Sequence, residues 1–269
     1  MPYNTLSLER LDHVGRIRLE RADKRNAQSV ELLDELDQAL TEALADPEIR
    51  VIILAGSGEH FSAGHDLKDP ELWRSQGDPE TRYAFEDLRY RDYCLRIWDA
   101  PKPVIAQVQG ACVAAGFMLA NMCDLIVASE DAFFADPVVN NFGVAAVEVL
   151  VHPWVLGLRA AKHFLFTGAR MSAAEALTAG MVNEVVPRAE LSDRCLALAS
   201  KIAEANPFAL RLMKRSLNRT AEIQGFRAAI DAHFDTHQLS HMGGEAQGRV
   251  AMGLAATRPS QNEAGEPRA

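Results

Sequence analysis

The stretch Val104-Ile105-Ala106-Gln107-Val108-Gln109-Gly110-Ala111-Cys112-Val113-Ala114-Ala115-Gly116-Phe117-Met118-Leu119-Ala120 decides the fold. Its first residues are apolar with little alternation, the pattern of a short strand covered on both faces. Gly110 then turns the chain into a small-residue helix over 112–122, which leads to a strand over 124–128. Alanine and glycine let neighbouring backbones approach closely, so the segment implies tight packing. A helix start also leaves its first N–H groups without internal acceptors, at the positive end of the helix dipole. Such a place can hold a developing anion. A second small-residue turn, Phe61-Ser62-Ala63-Gly64-His65-Asp66-Leu67, follows another apolar run, Val51-Ile52-Ile53-Leu54. The alternative is that both turns serve close packing and nothing else. Neither spells the glycine fingerprint of a dinucleotide site or of a nucleoside triphosphate loop.

Working outward, residues 6–19 alternate apolar and polar as a hairpin of half-exposed strands does. After a polar loop, Ser29 is a good N-cap for a helix with Leu32, Leu33, Leu36, Leu40 and Leu44 on one face, stopped by Asp46-Pro47. Strand, helix, strand makes a crossover unit. Residues 68–79 read as a mobile loop and 79–98 as an amphipathic helix. From residue 159 the pattern is mostly helical, over 159–166, 172–179, 191–204, 207–219 and 221–241, and Ser172 with Glu175 spells a capping box. The class is therefore α/β: a strand-rich core over 1–195, a helical region over 196–257 and a flexible tail over 258–269. The helices cover the core or pack on a neighbouring subunit.

The chain has 269 residues, 28 Lys and Arg against 37 Asp and Glu, and a formal net charge of -9. Without clustered basic residues, neither nucleic acid nor an anionic membrane is expected as a partner. No uninterrupted apolar run is long enough to span a bilayer, and the start of the chain does not read as a secretion signal. Cys94, Cys112, Cys123 and Cys195 show neither close pairing nor scaffold density, which fits buried thiols in a reducing, cytoplasmic compartment. His233, His237 and His241 share one helix face, but no metal signature accompanies them, and no metal is expected.

The order of motifs is similar to that of the crotonase (enoyl-CoA hydratase/isomerase) superfamily. The resemblance rests on Arg21-Ala22-Asp23-Lys24-Arg25-Asn26-Ala27, the 61–67 turn, 108–120 leading into Met122-Cys123-Asp124, Phe166-Thr167-Gly168 and Ala179-Gly180-Met181-Val182-Asn183. It covers residues 6–250. It implies a crotonase-like spiral of β-β-α units, a helical C-terminal trimerisation region, and a homotrimer or a dimer of trimers. It also implies an acyl-CoA thioester as substrate, no separate cofactor, and a thioester oxygen held by the main-chain amides of His65 and Ala115. By the same resemblance Lys24, Arg25, Ala27, Ala63, His65, Asp66, Leu67, Lys68, Met118 and Val138 belong to the substrate site. The His65 imidazole is either an acid/base group or a pocket wall, and Lys24 and Arg25 either meet phosphates or are plain surface charges.

One departure from the family matters for mechanism. Its hydratases carry glutamates at two places that hold Met118 and Val138 here, and neither of these can carry a proton. Glu148, in the apolar stretch 143–151, is the replacement candidate, because desolvation would raise its pKa toward a useful acid/base value. The alternative is a structural Glu148 paired with Arg159 or another cation. Asp136, Asn140 and Asn141 are weaker candidates. Hydration, double-bond isomerisation and C–C hydrolysis all remain open. A non-catalytic acyl-CoA-binding or scaffold protein is the competing class, and an acidic first helix argues against an RNA-binding one.

Overall fold

The structure, a computed structural model, describes residues 3–256. Strands β1 (Leu6–Leu11) and β2 (Val14–Leu19) form the expected antiparallel hairpin. Then come β3 (Val51–Gly56), β4 (Val104–Val108), β5 (Ala111–Val113), β6 (Leu125–Ser129), β7 (Phe133–Ala135), β8 (Met171–Ser172) and β9 (Glu184–Val186). The larger sheet has the order β1-β2-β3-β4-β6-β9 and is parallel from β2 onward, while β5, β7 and β8 form a second, small sheet. Each of β4 and β6 is followed within a few residues by a short strand of the small sheet, and after β3 Ser62 bridges to Cys112 in the same way. This is the repeating unit of the spiral.

The apolar run of β3 reflects burial on both faces. Ile52 and Leu54 enter the main core with the helix Val30–Ala45, while Val51 and Ile53 pack on Cys195 and Ala199 of the helix Leu191–Ala203. Each such side chain removed from water contributes roughly 1.5–3 kcal/mol. The Ser29 hydroxyl accepts from the Leu32 N–H, starting the first helix as expected. Helix Leu191–Ala203 runs through residue 195 and rests on the sheet, so packing is continuous there.

Several expected elements are corrected. The small-residue helix does not begin at 112, because residues 111–113 pair with β7 as strand; it begins at Ala115 and runs to Asn121. The 68–79 segment holds a short helix, Pro70–Ser75, started by Asp69 and Pro70. The single helix over 79–98 is three pieces, Pro79–Glu86, a π-helical turn Asp87–Asp92, and Tyr93–Asp99. Such π turns recur at functional sites because the extra residue re-aims side chains. The C-terminal helices are Pro207–Ile223, Phe226–Ser240 and Gly244–Ala256, and the break falls at Gly225, where φ is +100°. The 258–269 tail lies outside the described residues. No helix among the described residues is long and apolar enough to cross a membrane.

Candidate functional site

The two small-residue turns come together. Asn26, fully buried, donates to the carbonyls of Ser57 and His60 at 2.9 and 2.8 Å, and Gln109 donates to the Gly56 carbonyl at 2.6 Å. These amides stitch the 61–67 turn onto the sheet edge. The Ser62 carbonyl accepts from the Val113 N–H, and a Cβ added to Gly116 would lie 2.5 Å from that same oxygen. A Cβ on Gly64, whose φ is +92°, would come within 3.3 Å of the Ala115 nitrogen. Only glycine permits both approaches.

Main-chain donors are left over where the turns meet. Gln28 pairs with the strand-like stretch around His65, taking the Asp66 N–H on its carbonyl and giving its own N–H to Gly64. The His65 N–H therefore points the other way. Among the described residues, neither it nor the Ala115 N–H reaches a protein acceptor. Ala114, between strand and helix, sits at φ 50°, ψ −116°. That region costs an alanine about 1–3 kcal/mol and persists where the surroundings over-determine it.

Beside these donors lies a cavity with about 830 Å³ of empty space including its open mouth. Ala63, His65, Leu67, Ala114, Val138 and Glu148 line it, together with Glu86, Tyr90 and His237. The helices Pro70–Ser75 and Gly244–Ala256 close its outer side through Trp73 and Ala246. Trp73 is fixed by its indole N–H on the Leu67 carbonyl at 2.7 Å.

Glu148 is 5% exposed and faces this cavity, and its partners are imidazoles. Its Oε2 lies 3.4 Å from His65 Nε2 and its Oε1 3.6 Å from His237 Nε2, while Arg159 is on the exposed side of another helix. The expected upward pKa shift is overturned. Burial does push the carboxyl up, but the neighbouring His65 and His237 outweigh it and hold Glu148 to about 2. The resting group is thus an ionised base and not an acid. The His65 ring stacks on Tyr90 with centroids 3.7 Å apart, which fixes its direction.

The other sequence candidates divide. Ala63, Leu67 and Val138 line the cavity. Met118 does not: it is 1% exposed in the core, its sulfur accepts from the Val149 N–H, and it borders only a smaller adjoining void. Asp66 is held at 2.7 Å by Arg21, whose other N–H reaches the Ala27 carbonyl, so both Asp66 and Ala27 brace the turn. Lys24 and Lys68 flank an open groove outside the cavity, and Arg25 is exposed and left-handed at φ 54°. Asp136 accepts from the Val138 and Val147 N–H groups and lies 3.2 Å from His152, so it anchors the loop that carries Glu148. Asn140 binds the Phe166 carbonyl, and Asn141 is exposed. Away from these candidates, Phe226 and Phe234 are core residues, and Trp154 meets Phe226 edge-on.

Sequence reasoning missed Glu86 and the position of His237. Glu86 is 2% exposed at the end of the helix before the π turn, and accepts from Gln76 Nε2 at 2.8 Å and Gln238 Nε2 at 2.5 Å. His237, also 2% exposed, has its Nδ1 on the Ala146 carbonyl and its Nε2 3.4 Å from Glu86. A signal was present. His237 continues the buried stripe Phe226, Ile230, Phe234, so its imidazole falls on the inward face of its helix. Glu86, His237 and His241 have side-chain oxygen or nitrogen atoms within 4.8 Å of one another, a spacing a divalent cation could bridge, where no metal was expected from the sequence.

The comparisons with known proteins agree with this fold. Residues 9–256 match the family model for enoyl-CoA hydratase/isomerase. A putative enoyl-CoA hydratase, EchA13, of Mycobacterium tuberculosis is 40% identical over 245 residues, covering 85% of this chain and 77% of that one. The human mitochondrial Delta(3,5)-Delta(2,4)-dienoyl-CoA isomerase is 34% identical over 214 residues, covering 76% and 65%. The crystal structure of a probable enoyl-CoA hydratase from Mycobacterium smegmatis superposes with a TM-score of 0.84 at 48% identity, covering 88% of this chain and 94% of that one. An enoyl-CoA hydratase/isomerase from Xanthobacter autotrophicus gives 0.88 at 32% identity, covering 95% and 96%.

Proposed function

The chain belongs to the enoyl-CoA hydratase/isomerase family, the crotonase superfamily, and from that premise we propose that it moves a double bond in an acyl-CoA thioester, with Glu148 as base. The thioester oxygen sits between the N–H groups of His65 and Ala115, which stabilise the enolate as charge develops on it. Glu148 takes the proton from the carbon next to the thioester. The observation that carries this reading is that Glu148 is a buried, cavity-lining carboxyl 3.4 Å from His65, the same residue whose main chain offers a free donor. Base and enolate-stabilising group are thereby set in register.

Isomerisation is preferred over hydration because the two family glutamate positions hold Met118 and Val138. The proposal includes no cofactor beyond the coenzyme A of the substrate. We assign its phosphates to Lys24 and Lys68, which line the outer groove together with several carboxylates. The exposed Phe208, Met213, Leu217 and Ile223 of helix Pro207–Ile223 favour packing on another subunit, and we take the assembly as a homotrimer or a dimer of trimers and the location as the cytoplasm.

Turnover of a panel of enoyl-, dienoyl- and β-diketone-CoA thioesters tests the reading. Wild type is expected to isomerise an enoyl or dienoyl member, and Glu148→Gln to lose about 10²–10⁴ in kcat, the usual worth of a general base. Unchanged turnover by Glu148→Gln would clear that residue, and binding without turnover by wild type would make the chain an acyl-CoA binder.

A further inference from the structure

We propose that His237 is the second proton-transfer group of the cavity, that it delivers a proton to a remote carbon of the acyl chain, and that Glu86 is its positioning residue. The inference rests on Glu148 as base. It extends that reading by naming a partner that the family motifs do not mark and by restricting the substrate to thioesters whose double bond can move with no net addition of water.

The geometry begins with the hydrogen bonds. His237 donates from Nδ1 to the Ala146 carbonyl at 3.1 Å, which leaves Nε2 to face Glu86 at 3.4 Å, Glu148 at 3.6 Å and His241 Nε2 at 3.2 Å. A carbonyl on Nδ1 and two carboxylates within 3.6 Å of Nε2 favour the imidazolium form of this ring. Glu86 is itself immobilised by Gln76 and Gln238, and Arg82, 5% exposed, donates to both the side chain and the carbonyl of Gln238.

The surrounding groups settle which imidazole carries the proton. Burial alone would lower the pKa of His237, but Glu86 and Glu148 outweigh it and raise it to about 9. Its neighbours on the same helix go the other way, since burial outweighs their hydrogen bonds and nearby carboxylates and brings His233 and His241 each to about 4. His233 accordingly sits neutral on the Val147 carbonyl at 2.9 Å. His65 is the remaining imidazole near the network, and it meets the other oxygen of Glu148.

The proton ledger closes within the cavity. Glu148 takes a proton from the carbon next to the thioester, and the electron pair moves onto the carbonyl oxygen to give the extended enolate. That enolate returns its electrons to a remote carbon, which takes the proton from His237 Nε2, and the double bond is displaced. Glu148 is now protonated and His237 neutral, and transfer between the two restores both. Nothing is oxidised, and no water is consumed.

The test is reaction of a 3-enoyl-CoA thioester in deuterium oxide with wild type, Glu148→Gln, His237→Gln and Glu86→Gln. Wild type should exchange the proton next to the thioester and release 2-enoyl product. His237→Gln should still exchange that proton while product formation falls about a hundredfold or more. Glu86→Gln should leave KM near its wild-type value and move the alkaline limb of the kcat–pH profile downward, a readout that survives even if His237→Gln fails to fold. Product formation by His237→Gln within about threefold of wild type, or simultaneous loss of its exchange and product, overturns the proposal. So does an alkaline limb unmoved in Glu86→Gln, or a divalent ion that copurifies and whose chelation abolishes turnover. Exchange persisting in Glu148→Gln sinks the base reading instead, which keeps the two failures apart.

Discussion

The wall of the cavity that carries His65 and Ala114 is made of main chain, whereas the wall that carries Glu86, Glu148 and His237 is made of side chains from three separate segments. The first is fixed by sterics. Gly64 and Gly116 let two turns touch, and buried Asn26 and Gln109 pin them, so the direction of each N–H follows from the backbone. The second is fixed by electrostatics. Carboxylates and imidazoles hold one another in a region with little water, and each determines its neighbour's protonation. A main-chain wall tolerates many side chains but almost no added volume, and a side-chain wall does the reverse.

The harshest way to break that contrast is Gly116→Ala. Its Cβ would meet the Ser62 carbonyl at 2.5 Å, so the turns must part. We expect a stability loss of about 1–3 kcal/mol from overpacking and a fall in turnover of about 10²–10³, the worth of one oxyanion donor. Denaturant titration beside kcat checks it, and a variant with normal turnover would show that the close approach of the turns is not needed.

A milder change sharpens the contrast within a single residue. His65→Gln keeps the main-chain N–H and removes the imidazole that holds Glu148 low, so Glu148 should titrate higher. Turnover should drop only about 10–100-fold, in line with a lost hydrogen bond to a charged group, and the acid limb of the pH profile should shift upward. A loss as deep as that of Glu148→Gln would mean that the ring, and not its main chain, is the important part.

The smallest effect expected is on thermal stability across pH. His237 is raised to about 9 from an ordinary 6.5, so its contribution is complete below 6.5 and lost as pH climbs through 9. His233 and His241 are lowered to about 4, so burying them neutral favours folding above 6.5 and less so as pH falls toward 4. Glu86 and Glu148, both lowered, add to the acid-side loss. The midpoint of thermal unfolding should therefore peak near pH 6.5 and decline by a few degrees on either side. A midpoint that stays level between pH 6.5 and 9 would contradict a proton on His237.

Local pattern made part of this legible. The run 51–54 announced a doubly covered strand, Ser29 and Ser172 announced helix starts, and the 61–67 and 109–116 turns announced a place of close backbone approach, because each signal is carried by adjacent residues. The boundary errors share one cause. Residues 111–113 have helix-compatible composition but become strand through pairing with β7, and the π turn at Asp87–Asp92 has no local signature. Met118, matched to the site by motif position, turned out to be core because its sulfur faces Val149. Glu148 was visible as an odd carboxylate in an apolar stretch, yet the direction of its pKa shift was not, since the deciding charges lie 83 and 89 positions away in sequence.

By itself, then, the sequence determined the family, the α/β spiral and the two donor turns, all of which depend on the order of small and apolar residues along the chain. Only the tertiary structure decided the proton inventory of the cavity. Ionisation is set by distances of a few ångströms between groups such as Glu86, Glu148 and His237, and those distances come into being when separate helices and loops close around the same space.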